Sequence, residues 1–415
     1  MTALVRRLGV TDAVVIGLGA MLGAGVFAAF APAAQAAGSG LLIGLAIAAV
    51  VAFCNATSSA RLAAVHPESG GTYVYARRRL GTFWGFQAGW SFVVGKTASC
   101  AAMALTFASY AAPGQERLVG ILAVLALTAL NYRGVQKSAL VTRVIVALTL
   151  ATLVVVVVAA LAGGTASAER LSPFPGGDLR GILQSAGLLF FAFAGYARIA
   201  TLGEEVVDPR RTIPRAIPVA LGIVLVVYVV VGVSALLAVG ADGLAATPAP
   251  LRAVVEAGSL AALSPVVQVG AAVASLGALL ALILGVSRTT LAMARDRELP
   301  PFLAAVHPRH GVPYRAELAV AAVVVVLVAT LDVRGAIGFS SFGVLTYYAL
   351  TNASALRMAP DESRPPRAVA VLGLAGCVVL AATLPLASVL GGAAVALVGA
   401  GTWALRRGRD RTHVE

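Results

Sequence analysis

A chain of 415 residues that is 59% apolar and only 12% charged is not an ordinary soluble domain, which carries about twice that charged fraction. The net charge of +13 does not mark a nucleic-acid binder, because the basic residues sit in short loops between apolar runs and not along one face or in a tail. Cys54, Cys100 and Cys377 each lie inside an apolar run, far apart in sequence, so they read as packing residues and not as a disulfide framework or a metal site.

In chain order, apolar runs of spanning length predict twelve membrane helices near 12–34, 40–64, 83–110, 117–131, 139–162, 181–202, 214–240, 264–290, 316–331, 335–356, 367–384 and 386–405. Arg6 and Arg7 precede the first run, which is too long and too glycine-rich for a cleavable leader. Pro385 divides the last two runs, for which one tilted span with a re-entrant tail is the alternative. With the N-terminus in the cytoplasm, about 24 of the 31 Lys and Arg fall on inner loops and about five outside, the asymmetry expected of a multi-pass protein with both termini inside. The longest external segments, 163–180 and 241–263, are too short for a folded domain, and residues 406–415 form a short basic tail. The chain is therefore expected to be a single membrane domain over residues 1–405, all-α and polytopic. No ATP-binding motif is present, so any transport draws on a gradient.

Two of the runs are interrupted. The first, "DAVVIGLGAMLGAGVFAAF", crowds Gly17, Gly19, Gly23 and Gly25 into its middle, and the sixth, "LLFFAFAGYARIATLGEE", centres on Gly195. Close packing of small residues is one reading, since Gly19 and Gly23 fit a small-xxx-small pattern. The other is a binding site, because glycine-broken segments at matching positions of two halves point to an inverted-repeat transporter. Unwinding at Gly23-Ala24-Gly25, beside Ala20 and Met21, would free N–H groups for a carboxylate. Carbonyls freed near Phe193-Ala194-Gly195 would receive an ammonium, and such unpaired backbone is tolerated in a membrane only where it meets a ligand or a cavity.

Five blocks carry a resemblance. "GAMLGAGVF", "HPESGGTYVYARRRLG" (66–81), "NYRGVQKSA" (131–139), "FFAFAGYARIATLGEEVVDPRRTIPRAI" (190–217) and "SRTTLAMARDRELPPFLAAVHPRHGVP" (287–313) resemble, in order and spacing, the motifs of the amino acid–polyamine–organocation transporter superfamily. The resemblance implies two inverted five-helix repeats (about 12–162 and 181–356) plus two extra helices (about 367–405), alternating access, and a small amino acid or amine as cargo. It also implies that Phe191 stands where relatives place a gating aromatic, although a phenylalanine in a membrane helix more often faces lipid or core. The chain departs from relatives at Thr149, where many bacterial members carry a coupling lysine, at Ala197, often acidic, and at Arg198, commonly small. These departures leave room for an amine or amino-acid exchanger, or for a sensor that has lost transport.

Lys96 lies about 13 residues from either end of the third span, roughly 20 Å at the helical rise, beyond the reach of snorkelling. A charge at that depth is a functional candidate, here for substrate binding and for carrying a coupling proton; sodium coupling is less favoured. Arg198 reads either as an inner-gate residue or as a contact of the substrate, and it does not give up its proton. Two deep cations without an acid disfavour a cationic cargo, so a neutral or acidic amino acid is expected. Glu204, Glu205 and Asp208, with Arg210, Arg211 and Arg215, read as an inner-gate network or as a solvated loop. His66, His307 and His310 lack metal-ligand spacing, no catalytic constellation is visible, and no cofactor is expected. The lipid bilayer is the expected setting, nucleic acid is not a partner, and oligomeric state is open.

Overall fold

The computed structural model describes residues 8–66, 70–134, 139–202 and 205–412, with residues 139 and 407–412 described by backbone alone. Glu204, together with parts of the 66–81 and 131–139 blocks, lies outside the described residues.

The helices, in chain order, are α1 (Val10–Met21), α2 (Ala24–Ala28), α3 (Phe30–Ala37), α4 (Leu41–Val65), α5 (Thr72–Arg79), α6 (Thr82–Ala111), α7 (Glu116–Tyr132), α8 (Ala139–Ala162) and α9 (Leu179–Phe193). They continue with α10 (Ala197–Ala200), α11 (Pro209–Ala245), α12 (Pro250–Glu256), α13 (Ser264–Arg295), α14 (Tyr314–Thr330), α15 (Val333–Leu356), α16 (Arg367–Thr383) and α17 (Leu386–Thr412). Among the described residues, eight helical stretches are long and apolar enough to cross a membrane. The chain is thus an all-α polytopic membrane protein. The other four expected spans correspond to α7, α14 and α16, each only 17 residues, and α15. α15 is long enough, but it carries buried Ser340, Ser341, Thr351, Asn352 and Ser354, which lower its apolarity.

The bundle has an apolar core, and unlike a soluble protein it is apolar on its surface as well. Large aliphatics face outward at helical spacing, as Leu118, Leu122 and Leu125 do on α7 and Val219, Ile223, Val226 and Val230 on α11, the lipid-facing arrangement. Small and polar residues hold the helices together. α6 packs on both α13 and α15. A Cβ added to Gly95 of α6 would meet Val344 N at 3.0 Å and Gly343 at 3.1 Å, and beside this backbone contact Ser99 and Ser340 share a 2.6 Å hydrogen bond. Asn352 donates to Asn55 Oδ1 and accepts from Ser58, joining α15 to α4.

α11 begins with Pro214 and Pro218 in its early turns and kinks at Gly240, whose φ of 70° a side chain would resist. The 163–178 segment is tied to the α3–α4 turn, where Ser39 donates to Pro173 O and accepts from Gly176 N. At the arginine-rich end of the bundle, an isolated parallel bridge pairs Leu8 with Val206, so the chain before α1 is fastened to the chain after α10.

Candidate functional site

The first apolar run is interrupted at Leu22 (φ −80°, ψ 21°) and Gly23 (φ −78°, ψ −136°). Helix resumes at Ala24, so the break sits slightly earlier than Gly23-Ala24-Gly25, with Ala24 and Gly25 already inside α2. Ala29 keeps helical angles, and α2 runs nearly straight into α3. The sixth run does not open fully. α9 tightens into a 3₁₀ turn over Ala194–Tyr196 and resumes as α10. Such a turn inside a long helix is a recognised hinge geometry.

The two interruptions touch. A Cβ on Gly195 would fall 2.4 Å from Ala20 O and 2.7 Å from Met21 N, and one on Gly25 would fall 2.7 Å from Ala192 Cα. Only glycine permits this backbone-to-backbone approach. Gly23 lies against the side-chain methyl of Ala278 on α13, which an added Cβ would meet at 2.7 Å. The glycines thus seat each interrupted segment on its neighbour, the close approach that small residues allow.

Carbonyls at the interruptions are met by side chains. The Tyr228 hydroxyl of α11 faces Met21 O at 2.6 Å and Ala192 O at 3.0 Å, one O–H bridging both broken helices. Its ring meets Phe193 edge-on, with centroids 5.0 Å apart. Lys96, buried at 8% exposure, donates from Nζ to Ala194 O at 3.3 Å. Tyr348 of α15 donates to the same carbonyl at 3.4 Å and stacks on Tyr196. Both contacts on Ala194 O are at the long end of hydrogen bonding. The lysine expected to need a partner at depth therefore finds a backbone carbonyl and not an acid.

Ala20, Met21, Gly23, Ala24, Gly25, Phe193, Ala194, Gly195 and Lys96 come together around this junction, and Phe191 is buried one turn away on α9. Thr149 stands apart in role: its hydroxyl is spent on Ile145 O of its own helix at 2.8 Å. Arg198 is exposed on α10, and among the described residues no carboxylate reaches ion-pair distance of it; Glu205 and Arg288 are the charges acting on it. Of the expected inner-gate network the described residues show one ion pair, Asp208–Arg211 at 3.6 Å. Glu205 contributes through its backbone, its carbonyl accepting from Leu8 N.

Sequence reasoning missed the tyrosines. Tyr228 is the one polar side chain in "LVVYVVV", and a buried tyrosine hydroxyl looks for an acceptor. It also missed Glu317, fully buried at the start of α14 with neither carboxylate oxygen hydrogen-bonded. An acid among the first residues of a short apolar run was the available signal.

The two ends of the bundle differ. At the loop-rich end, Tyr110 donates to Phe27 O at 2.8 Å and accepts from Leu251 N of α12 at 3.2 Å, closing that helix over α2. Residues 21–34 are all buried, whereas Val15, Ile16, Gly19 and Ala20 are partly open. A cavity of about 610 Å³ near Ser39, Arg170 and Asp242 shares no lining residue with the breaks. At the arginine-rich end, Arg143 pairs with Asp12, and Arg77 with Asp296 at 3.0 Å and Glu298 at 3.5 Å. Burial holds the Glu298 carboxyl above the ordinary range, against the opposing pull of Tyr73 and Arg77. The Arg79 hydrogen bond holds Glu362 below that range.

A family model described as amino acid permease matches residues 8–402. The chain is 65% identical over 402 residues to an uncharacterized transporter of Mycobacterium tuberculosis, covering 97% of this chain and 91% of that relative. It is 28% identical over 336 residues to the branched-chain amino acid permease of Bacillus subtilis, covering 75% and 72%. It is also 28% identical over 393 residues to human cationic amino acid transporter 4, covering 88% and 61%.

Proposed function

The chain belongs to the amino acid permease family, within the amino acid–polyamine–organocation superfamily, and on that premise we propose a gradient-driven carrier that moves a neutral or acidic amino acid by alternating access. The family is one of permeases and not of enzymes. The chain is a bacterial-type multi-pass membrane transporter of amino-acid-type cargo.

In this reading α7, α14, α15 and α16 complete twelve spans with the eight apolar stretches. Residues 12–162 and 181–356 form two inverted repeats, with 367–405 appended and both termini in the cytoplasm. The basic residues at the arginine-rich end support that orientation. Relatives are named for branched-chain and for cationic cargo. The cations at Lys96 and Arg198, with Arg288 beside the latter, weigh against a cationic one here.

The observation that carries the reading is the contact of the two interrupted helices, with Lys96 on the carbonyl between them. The substrate carboxylate would meet the N–H groups after Gly23, its ammonium would meet Ala194 O, and Phe191 and Arg198 would close on it. A thermal-shift screen of the purified protein against all amino acids and common amines tests this, since a ligand of the folded state raises the melting temperature. A neutral or acidic amino acid is the expected hit, and saturable arginine or putrescine uptake in proteoliposomes would overturn the cargo class. Lys96 is proposed to carry a coupling proton. Lys96→Ala should abolish accumulation driven by a pH gradient, and wild-type accumulation by that variant would refute the role.

A further inference from the structure

Side-chain donors lie on the carbonyl that the transport reading gives to the substrate ammonium. That carbonyl is Ala194 O, where Lys96 Nζ lies at 3.3 Å and the Tyr348 hydroxyl at 3.4 Å, and of the two donors Lys96 is the cation. Lys96 is buried, and its backbone is pinned by the Gly95–Gly343 contact, so its reach toward α9 is set by the α6–α15 packing. Met21 O and Ala192 O are likewise covered by Tyr228. Each of these three carbonyls thus has a side-chain donor within reach, Met21 O and Ala192 O sharing the one Tyr228 proton, as a membrane interior favours.

We infer that Lys96 is a tethered stand-in for the substrate's amino group: it occupies Ala194 O when the carrier is empty and yields that carbonyl to the α-ammonium of the incoming amino acid. The inference rests on the transport reading and adds two consequences. The α-amino group gains little net affinity, because each new contact it makes displaces one that Lys96 was making. The empty carrier can also reorient, because its junction stays satisfied without cargo; the protein performs net transport and is not confined to exchange.

The test pairs each amino acid with its deaminated analogue: L-leucine with 4-methylpentanoate, and L-glutamate with glutarate. With purified wild-type protein, the carboxylate alone should bind within about threefold of its parent, because Lys96 supplies the missing cation. In Lys96→Met the parent should gain about tenfold over its analogue, the competitor having been removed. In proteoliposomes at equal pH on both sides, where no proton gradient contributes, Lys96→Met should lower net uptake about tenfold more than it lowers counterflow.

A wild-type analogue that binds about 100-fold more weakly than its parent overturns the stand-in, and so does a variant in which parent and analogue weaken together, which would place Lys96 on the carboxylate. The wild-type comparison stands even if the variant does not fold. Should neither leucine nor glutamate bind the wild type, the cargo class falls, and the stand-in falls with it. A parent that binds while the analogue comparison fails removes the stand-in alone.

Discussion

Tyr228 shows what a single hydroxyl does at a broken helix. Its O–H faces carbonyls of both interrupted segments, so Tyr228→Phe removes the single donor that these two buried acceptors share while keeping the ring on Phe193. The expected cost is about 1 kcal/mol, read as a lowered melting temperature in detergent. The Arg79–Glu362 pair outside the spans gives a pH-dependent counterpart. Because Arg79 depresses the Glu362 carboxyl in the folded state, its contribution is present above the ordinary carboxylate range and fades as the pH falls through the depressed value. Glu362→Gln should lower the melting temperature slightly at neutral pH, by about 1 kcal/mol or less. The gap to wild type should close in acid; a gap that widens instead would show that the pair does not act through its charge.

At the scale of helices, the glycines sort by what lies opposite them. Gly195→Ala drives a methyl into the backbone of Ala20 and should separate α1 from α9, with loss of ligand-induced thermal shift and about 1–3 kcal/mol of stability. Gly222→Ala on α11 meets nothing within 4 Å and should leave both unchanged. The existence and order of the long helices could be read from apolar runs, and the two interruptions from Gly23, Gly25 and Gly195, because breaking a helix leaves a local mark in composition. The exact residues of the first break could not: Ala24 and Gly25 are helical because contacts with Ala192 and α13 decide where the chain turns. Nor could the partner of Lys96, since a backbone carbonyl about 98 positions away has no side-chain signature. α15 was readable as a helix, but its polar row had meaning only once Asn55, Ser58 and Ser99 stood opposite.

For the whole molecule, the contrast between a packed loop-rich end and a partly open arginine-rich end is a statement about access. Cys54, Cys100 and Cys377 are buried, so the native protein offers a low background for thiol labelling. Arg198→Cys should react with a membrane-impermeant maleimide only from the face that also exposes a cysteine placed at Arg77. A saturating amino acid cargo should slow the reaction if closing over the cargo buries α10. Equal labelling from both faces would contradict an opening confined to the arginine-rich end, and Tyr110→Phe, which loosens α12 from α2, is expected to admit reagent from the opposite side.

The glycine-to-glycine seam between α6 and α15 has a mechanical corollary. With Gly95 pressed against Gly343, the root of the neighbouring lysine cannot follow any tilt of the hinged segments, and a 3.3 Å contact has almost no slack. Unless the lysine stem rotates to follow, a shift of the 3₁₀ segment by about 1 Å would carry the amine beyond hydrogen-bonding range of its carbonyl. The seam would then serve as a fixed gauge for any tilt of that segment, its stiffness setting how far the segment could travel before the grip is lost.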